Sequence, residues 1–245
     1  MPVLQLLYAG AGDAIAIYER AENGDLTLRK KVAVAGGVTQ LKLAPNANTM
    51  FVVTGDDTCV SLKVNSATGD LIPSGATPVP LPISPAYMNT DRTGRYVLLA
   101  SYMQPGACAS LPIAADGNAV GPVSLLDDLR HSAHFIATDP TNRFAFVPCV
   151  AGADDTNGNA IHQLRFDSAT GRLSHNAPPI IPPPTGPTPS PRFDGPLDVA
   201  EEPEGGFPDG FSAAVAPPPH SRFGTRPELG PRHFTFHPFL GNLVW

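Results

Sequence analysis

The chain has 245 residues and a net charge of −6, with 16% charged and 42% hydrophobic residues. That balance lacks the basic footprint nucleic acid requires, and no run of 18 apolar residues marks a membrane span. The length suffices for a substantial buried core. Three cysteines, Cys59, Cys108 and Cys149, are an odd number without a C-x-x-C pair, which argues against a disulfide framework or a zinc site. Each sits in or beside an apolar run, as a buried structural thiol does, and free thiols suit a reducing, cytoplasmic compartment.

In chain order, the opening MPVLQLLYAGAGDAIAIYE has no basic n-region and no long apolar core, so it reads as strand rather than signal peptide. LQLLYAG (4–10) and AIAIYER (14–20) form a hairpin, followed by a turn at Asn23-Gly24-Asp25. Arg29-Lys30-Lys31 is the one basic cluster and reads as a solvated strand end. A second unit runs from about Val38 to Leu71, and the Pro-rich SGATPVPLPISP (74–85) links it to a third, about Ala86 to Val120. LLDDLR (125–130) leads into a fourth. There HFIAT is followed by the turn Asp139-Pro140-Thr141-Asn142, FAFVPCV, a Gly/Asp/Asn loop, and the alternating strand AIHQLRFD. Within that strand His162 reads as exposed, and His175 and His220 as loop residues.

The turn glycines Gly24, Gly69, Gly117 and Gly171 recur at steps of 45, 48 and 54 residues. Hairpin turns take Gly, Asn and Asp because these tolerate positive φ. Four short strands per 40–50 residues mark a β-propeller blade, whose sheet buries its faces only against neighbouring blades. The expected fold is all-β: a partial β-propeller of about four blades with a Pro-rich irregular insertion. The expected division is blades over 1–176, the insertion over 177–230, and the start of a further blade over 231–245. A seven-bladed ring needs about 340 residues at this period, so the sequence reads as truncated, ending inside a strand. Unpaired blade edges are an opportunity for self-association.

Pro-Arg-His-Phe-x-Phe-His-Pro (231–238), SPAYMNTDRTGRYVLLASY (84–102) and HSAHFIATDPTNRFAFVPCVAG followed by HQLRFDSATGRL resemble the seven-bladed propeller lactonase family. That family includes bacterial 6-phosphogluconolactonases and fungal 3-carboxymuconate lactonizing enzymes. The resemblance covers residues 3–176 and 231–245. It implies hydrolysis of a sugar-acid lactone without metal or cofactor, in carbohydrate metabolism, with a small-molecule lactone as the partner and no nucleic acid or membrane. The alternatives are a carboxymuconate cyclase-type reaction and a non-catalytic propeller scaffold or inactive remnant.

Lactone hydrolysis needs an activated water, oxyanion stabilisation and a cationic anchor for an anionic substrate. The resemblance turns His131 and His134 toward the channel, for a substrate contact or a structural backbone bond. It makes Arg232 a channel-facing contact for the substrate anion and puts His233 beside it as a substrate-binding candidate. The family's acidic residue would fall beyond Trp245. Ala86-Tyr87 stands where relatives carry a histidine, and Val147-Pro148-Cys149-Val150 where they carry an acid. Asp154 and Asp155 lie nearby, in what reads as a solvated turn. His237, before Pro238, is expected to be structural. No G-x-S-x-G elbow, Walker loop, dinucleotide fingerprint or H-E-x-x-H occurs.

Overall fold

The computed structural model describes residues 5–103, 106–129, 132–149, 160–181, 235–236 and 243–244. All regular structure among them is β, in antiparallel sheets whose strands follow one another in chain order. The first sheet joins β1 (Leu6–Ala11), β2 (Ala14–Arg20) and β3 (Leu26–Ala33). The second runs β4 (Gln40–Leu43), β5 (Thr49–Val53), β6 (Thr58–Val64) and β7 (Leu71–Pro73). A short β8 (Val79–Pro80) pairs with the start of β6, so the expected linker after the second unit contributes a strand of its own. The third runs β9 (Tyr87–Thr90), β10 (Tyr96–Ser101), β11 (Gly106–Pro112) and β12 (Ser124–Leu129). The fourth runs β13 (Ala137–Thr138), β14 (Phe144–Cys149), β15 (Ala160–Phe166) and β16 (Leu173–Ile181). A final pair joins β17 (Thr235–Phe236) to β18 (Leu243–Val244).

These sheets are propeller blades because both faces of their central strands are covered. All five residues of β5 and all six of β10 are buried. Side chains alternate across a strand, so β5 and β10 each feed two cores. Met50 and Val52 pack with Ile15 and Ile17 of the first blade. Phe51 and Val53 pack with Val97 and Leu99 of the third. Leu98 and Ala100 pack with Val147, Leu164 and Phe166 of the fourth. Each fully buried aliphatic or Phe side chain stabilises by roughly 1.5–3 kcal/mol, so a blade's stability rests on its neighbours.

The turns recur as expected. Gly24, Gly69, Gly117 and Gly171 all adopt positive φ, from 70° to 93°. In all four turns an Asx side chain caps the loop: Asn23 Oδ1 accepts the Asp25 amide, Asn65 Oδ1 the amides of Ala67 and Thr68, Asp116 Oδ1 the Asn118 amide, and Asp167 Oδ1 the Ala169 amide. The turns at Gly69, Gly117 and Gly171 are also latched to the preceding blade. Tyr8 donates its hydroxyl to the Gly69 carbonyl (2.6 Å), and Ser110 donates to Gly171 O (2.5 Å). Lys63 Nζ donates to the carbonyl of Asp116.

Four readings change. LLDDL is not a lead-in to the fourth blade: Ser124–Leu129 is β12, the outer strand of the third blade, paired with β11. His162 is 2% exposed, not solvent-facing, because β16 and the His175 ring 6.3 Å away cover it. His175 belongs to β16, and its Nε2 lies 2.9 Å from Asp128 Oδ1 on β12, tying the outer strands of the third and fourth blades. Arg29, Lys30 and Lys31 lie within β3 rather than at its end; Arg29 donates to the Thr68 carbonyl and pairs with Asp70 at 4.0 Å. In addition, β16 runs on to Ile181, inside the stretch expected as insertion, of which 182–230 lie outside the described residues.

Candidate active site

The first strands β4, β9 and β13 of the second to fourth sheets, with β17, all contribute residues to one cleft. Two side-chain bonds repeat the step between them: Gln40 Nε2 donates to Ala86 O (3.0 Å), and Asn89 Nδ2 to Ile136 O (3.1 Å). At the start of the fourth blade's inner segment the chain enters through Ser132, with φ of 57°, and a bridge from Ala133 to Cys149. His134 then donates its amide to the Pro148 carbonyl at 3.0 Å, which extends the inner ladder beyond β13. The HFIAT segment is thus strand only over its last two residues, and His134 precedes it.

His134 is half-buried, with Nδ1 out of solvent. Its ring meets the Tyr102 ring edge-on, centroids 5.8 Å apart. Tyr102 follows β10 and is exposed. Beside them Phe135 lies 4.5 Å from Tyr87, where relatives were expected to carry a histidine. Burial raises the Tyr87 hydroxyl above its ordinary pKa, so it stays protonated. This mouth therefore offers an imidazole, two phenols and an aromatic floor. His131, Arg232, His233, His237, Asp154 and Asp155 lie outside the described residues, so of the residues singled out for chemistry only His134 is placed.

The shared cleft, of about 390 Å³, is lined by residues including Lys42, Asn89, Arg92, Phe135, Thr138 and Phe236. Arg92 donates Nε to Thr138 O at 3.2 Å, and its guanidinium lies 5.3 Å from the centre of the Phe236 ring. Burial lowers the pKa of Lys42. Lys42 and Arg92 had no functional reading in the sequence; one is an alternating strand residue, the other a turn residue.

The three thiols are inert by environment. Cys59, Cys108 and Cys149 are all buried. Burial pushes Cys59 and Cys149 up to about 12, and burial with Cys149 nearby raises Cys108 well above its ordinary value. A thiol protonated at neutral pH is a poor nucleophile. Among the described residues no group of three or more His, Cys, Asp or Glu is placed to hold a metal ion, and no helix is long and apolar enough to cross a membrane.

Consecutive antiparallel sheets that share cores and whose first strands line one cleft are the arrangement of β-propeller blades. The family model for "Lactonase, 7-bladed beta-propeller" matches residues 7–188, and the chain belongs to that family. A 6-phosphogluconolactonase of Pectobacterium carotovorum is 35% identical over 150 residues, covering 60% of this chain and 43% of that protein. One from Yersinia pestis is 36% identical over 152 residues, with the same coverage. The match thus spans less than half the length of these relatives. Among solved structures, the periplasmic gluconolactonase of Pseudomonas aeruginosa superposes with a TM-score of 0.60 at 22% identity, over 75% of this chain and 56% of that one, a likeness of fold.

Proposed function

We propose that the chain takes part in hydrolysis of a sugar-acid lactone, in the manner of a 6-phosphogluconolactonase in carbohydrate metabolism. The observation that carries this reading is the 35–36% identity to proteins of that name, over 60% of this chain. The chemistry suits the mouth described above. Water adds to the lactone carbonyl while an imidazole, His131 or His134, accepts its proton. The carbonyl π pair becomes an oxyanion. As the oxyanion collapses, the ring C–O bond breaks and the departing alkoxide takes a proton back from the imidazolium, leaving an open-chain hydroxy acid. Arg232 and His233 would hold the anionic end of the substrate. The domain reading stays with this proposal: blades to about residue 176, an insertion over 177–230, and the beginning of a further blade from 231. The buried free thiols favour a reducing, cytoplasmic location.

A carboxymuconate cyclase-type reaction and a non-catalytic scaffold are the alternatives. The second draws support from β3, which among the described residues is an edge strand where Leu26 and Leu28 are each 48% exposed and offer a surface for self-association. The purified chain should open 6-phosphogluconolactone faster than the spontaneous reaction, and His131→Ala, His134→Ala and Arg232→Ala should each lose on the order of a hundredfold in rate. A wild-type rate equal to the background would reject catalysis by this chain and leave the scaffold reading.

A further inference from the structure

At each of the three described junctions between blades, a basic side chain donates to a carbonyl of the next blade's glycine turn. Arg29 of the first blade donates to Thr68 O, Lys63 of the second to Asp116 O, and Arg95 of the third to Ala169 O. The fourth blade carries arginines at two of these positions. Arg143 directly precedes β14 as Arg95 precedes β10, and each guanidinium lies 5.7 Å from the ring that follows it, Phe144 or Tyr96. Arg165 pairs with Phe144, the first residue of β14, as Lys63 pairs with Thr49, the first of β5. Both arginines are exposed, and with Phe144, Asp167 and Arg172 they line a pocket of about 380 Å³. Arg143 spends Nε on Thr141 Oγ1, which leaves its other N–H groups for a further acceptor. Asp167 is the carboxylate of this lining and accepts within its own turn, from the Ala169 amide and the Thr170 hydroxyl. Three arginines and one aspartate give the lining a net charge of +2.

The first blade holds the complementary element. A Cβ at Gly69, Gly117 or Gly171 would meet side chains of the preceding blade, whereas at Gly24 it would meet nothing within 4 Å. The Gly24 turn is nevertheless built like the other three, with φ of 93° and Asn23 Oδ1 accepting the Asp25 amide. Residues 21–25 are all exposed and carry Glu22 and Asp25 without a cation; the neighbouring Arg20 is engaged by Gln5. Asp25 follows its glycine as Asp70 follows Gly69, and Asp70 pairs with a basic residue of the preceding blade, Arg29, at 4.0 Å. We infer that the Glu22–Asp25 turn of one copy docks in the Arg143 and Arg165 pocket of a second copy, repeating between molecules the latch that joins blades within one. Turn shape and opposite charge select this occupant. The contact is heterologous, one turn against one pocket, so copies join head to tail and not through the edge of β3.

The test is a charge swap read by analytical ultracentrifugation of the full chain, independent of any lactone chemistry. The average mass of the wild type should rise above one chain, 25.7 kDa, as its concentration is raised from about 1 to about 200 μM, the range of a small transient interface. Arg143→Glu with Arg165→Glu should weaken association about tenfold or more, and so should Glu22→Lys with Asp25→Lys. All four positions are exposed, and circular dichroism should match wild type. An equimolar mixture of the two double variants should regain association about tenfold tighter than either alone, because each turn again meets a pocket of opposite sign. Arg165→Gln and Asp25→Asn should each weaken it about threefold, which keeps the assignment testable where a reversal misfolds. Raising the salt from about 0.05 to 0.5 M should weaken wild-type association. A wild type that stays monomeric, its pocket filled by its own chain or by nothing, overturns the assignment. So does association that neither reversal weakens, as edge pairing through β3 would give, or a mixture no tighter than its components.

Discussion

Asn142 Nδ2 donates to Asp91 Oδ2 at 2.8 Å, joining the first turn of the fourth blade to the same turn of the third. The same side chain accepts the Arg92 amide through Oδ1 at 3.1 Å, and its backbone sits at φ of 57°. One buried amide thus satisfies a carboxylate and an amide of the neighbouring blade, from a left-handed position that Asn tolerates better than most residues.

Replacing Asn142 separates those roles. Asn142→Gly keeps the backbone at ease and removes the bonds, so it should cost about 1–3 kcal/mol. Asn142→Ala adds left-handed strain of about 1–2 kcal/mol to the same loss. Urea unfolding midpoints should therefore fall in the order wild type, Gly, Ala; an Ala variant as stable as Gly would show that the φ carries no strain.

Asp91 should govern part of the acid limb of stability. Burial raises its pKa, but hydrogen bonds from Thr93, Asn142 and the Tyr96 amide outweigh burial and hold it below the ordinary 3.8. Its folded value thus lies below its unfolded one. The stability it contributes is complete above about pH 4 and drains as pH falls through the folded value. Asp139 shifts in the same direction, burial again opposing and Thr141 and the Phe144 amide prevailing. Asp91→Asn should lower the melting temperature at pH 7 and shrink its drop between pH 5 and about pH 3. An unchanged acid limb would remove Asp91 from the account.

Gly171 tests the contact between the third and fourth blades. A Cβ there would meet the Tyr96 ring and Val123, at φ of 76°. At Gly12, with φ of 67°, a Cβ would meet nothing within 4 Å. Gly12→Ala should cost about 1 kcal/mol, from the backbone alone. Gly171→Ala should cost on the order of 3 kcal/mol, since the Tyr96 ring is pinned by its bond to Ala169 O and by Phe166 edge-on at 5.6 Å. Equal losses in thermal unfolding would mean that the ring gives way freely.

The blades were legible because local chemistry marks them. The turn glycines need positive φ whatever surrounds them, and the strands β5, β10 and β14 are apolar enough to announce two covered faces. What escaped depends on neighbours. SLLDDL carries two acids and reads as a connection, yet it pairs with β11, and Ser124 Oγ accepts the Leu173 amide of the fourth blade. His162 looks like the polar half of an alternating strand until the His175 ring covers it. Lys42 and Arg92 lie 50 residues apart in sequence and line one cleft only because β4 and β9 of neighbouring blades lie side by side. His131, Arg232 and His233 rest on the family resemblance, and His134 is the member whose surroundings the structure supplies.

The latches on three of the glycine turns accept at main-chain carbonyls: Gly69, Asp116 and Gly171 are reached by Tyr8, Lys63 and Ser110 in turn. Three chemically different donors do the same job because the receiving atom belongs to the polypeptide itself and survives any side-chain replacement. A duplicated or exchanged module would bring its own docking point with it. The wheel can therefore drift far in sequence, and even change its number of spokes, while adjacent spokes continue to engage.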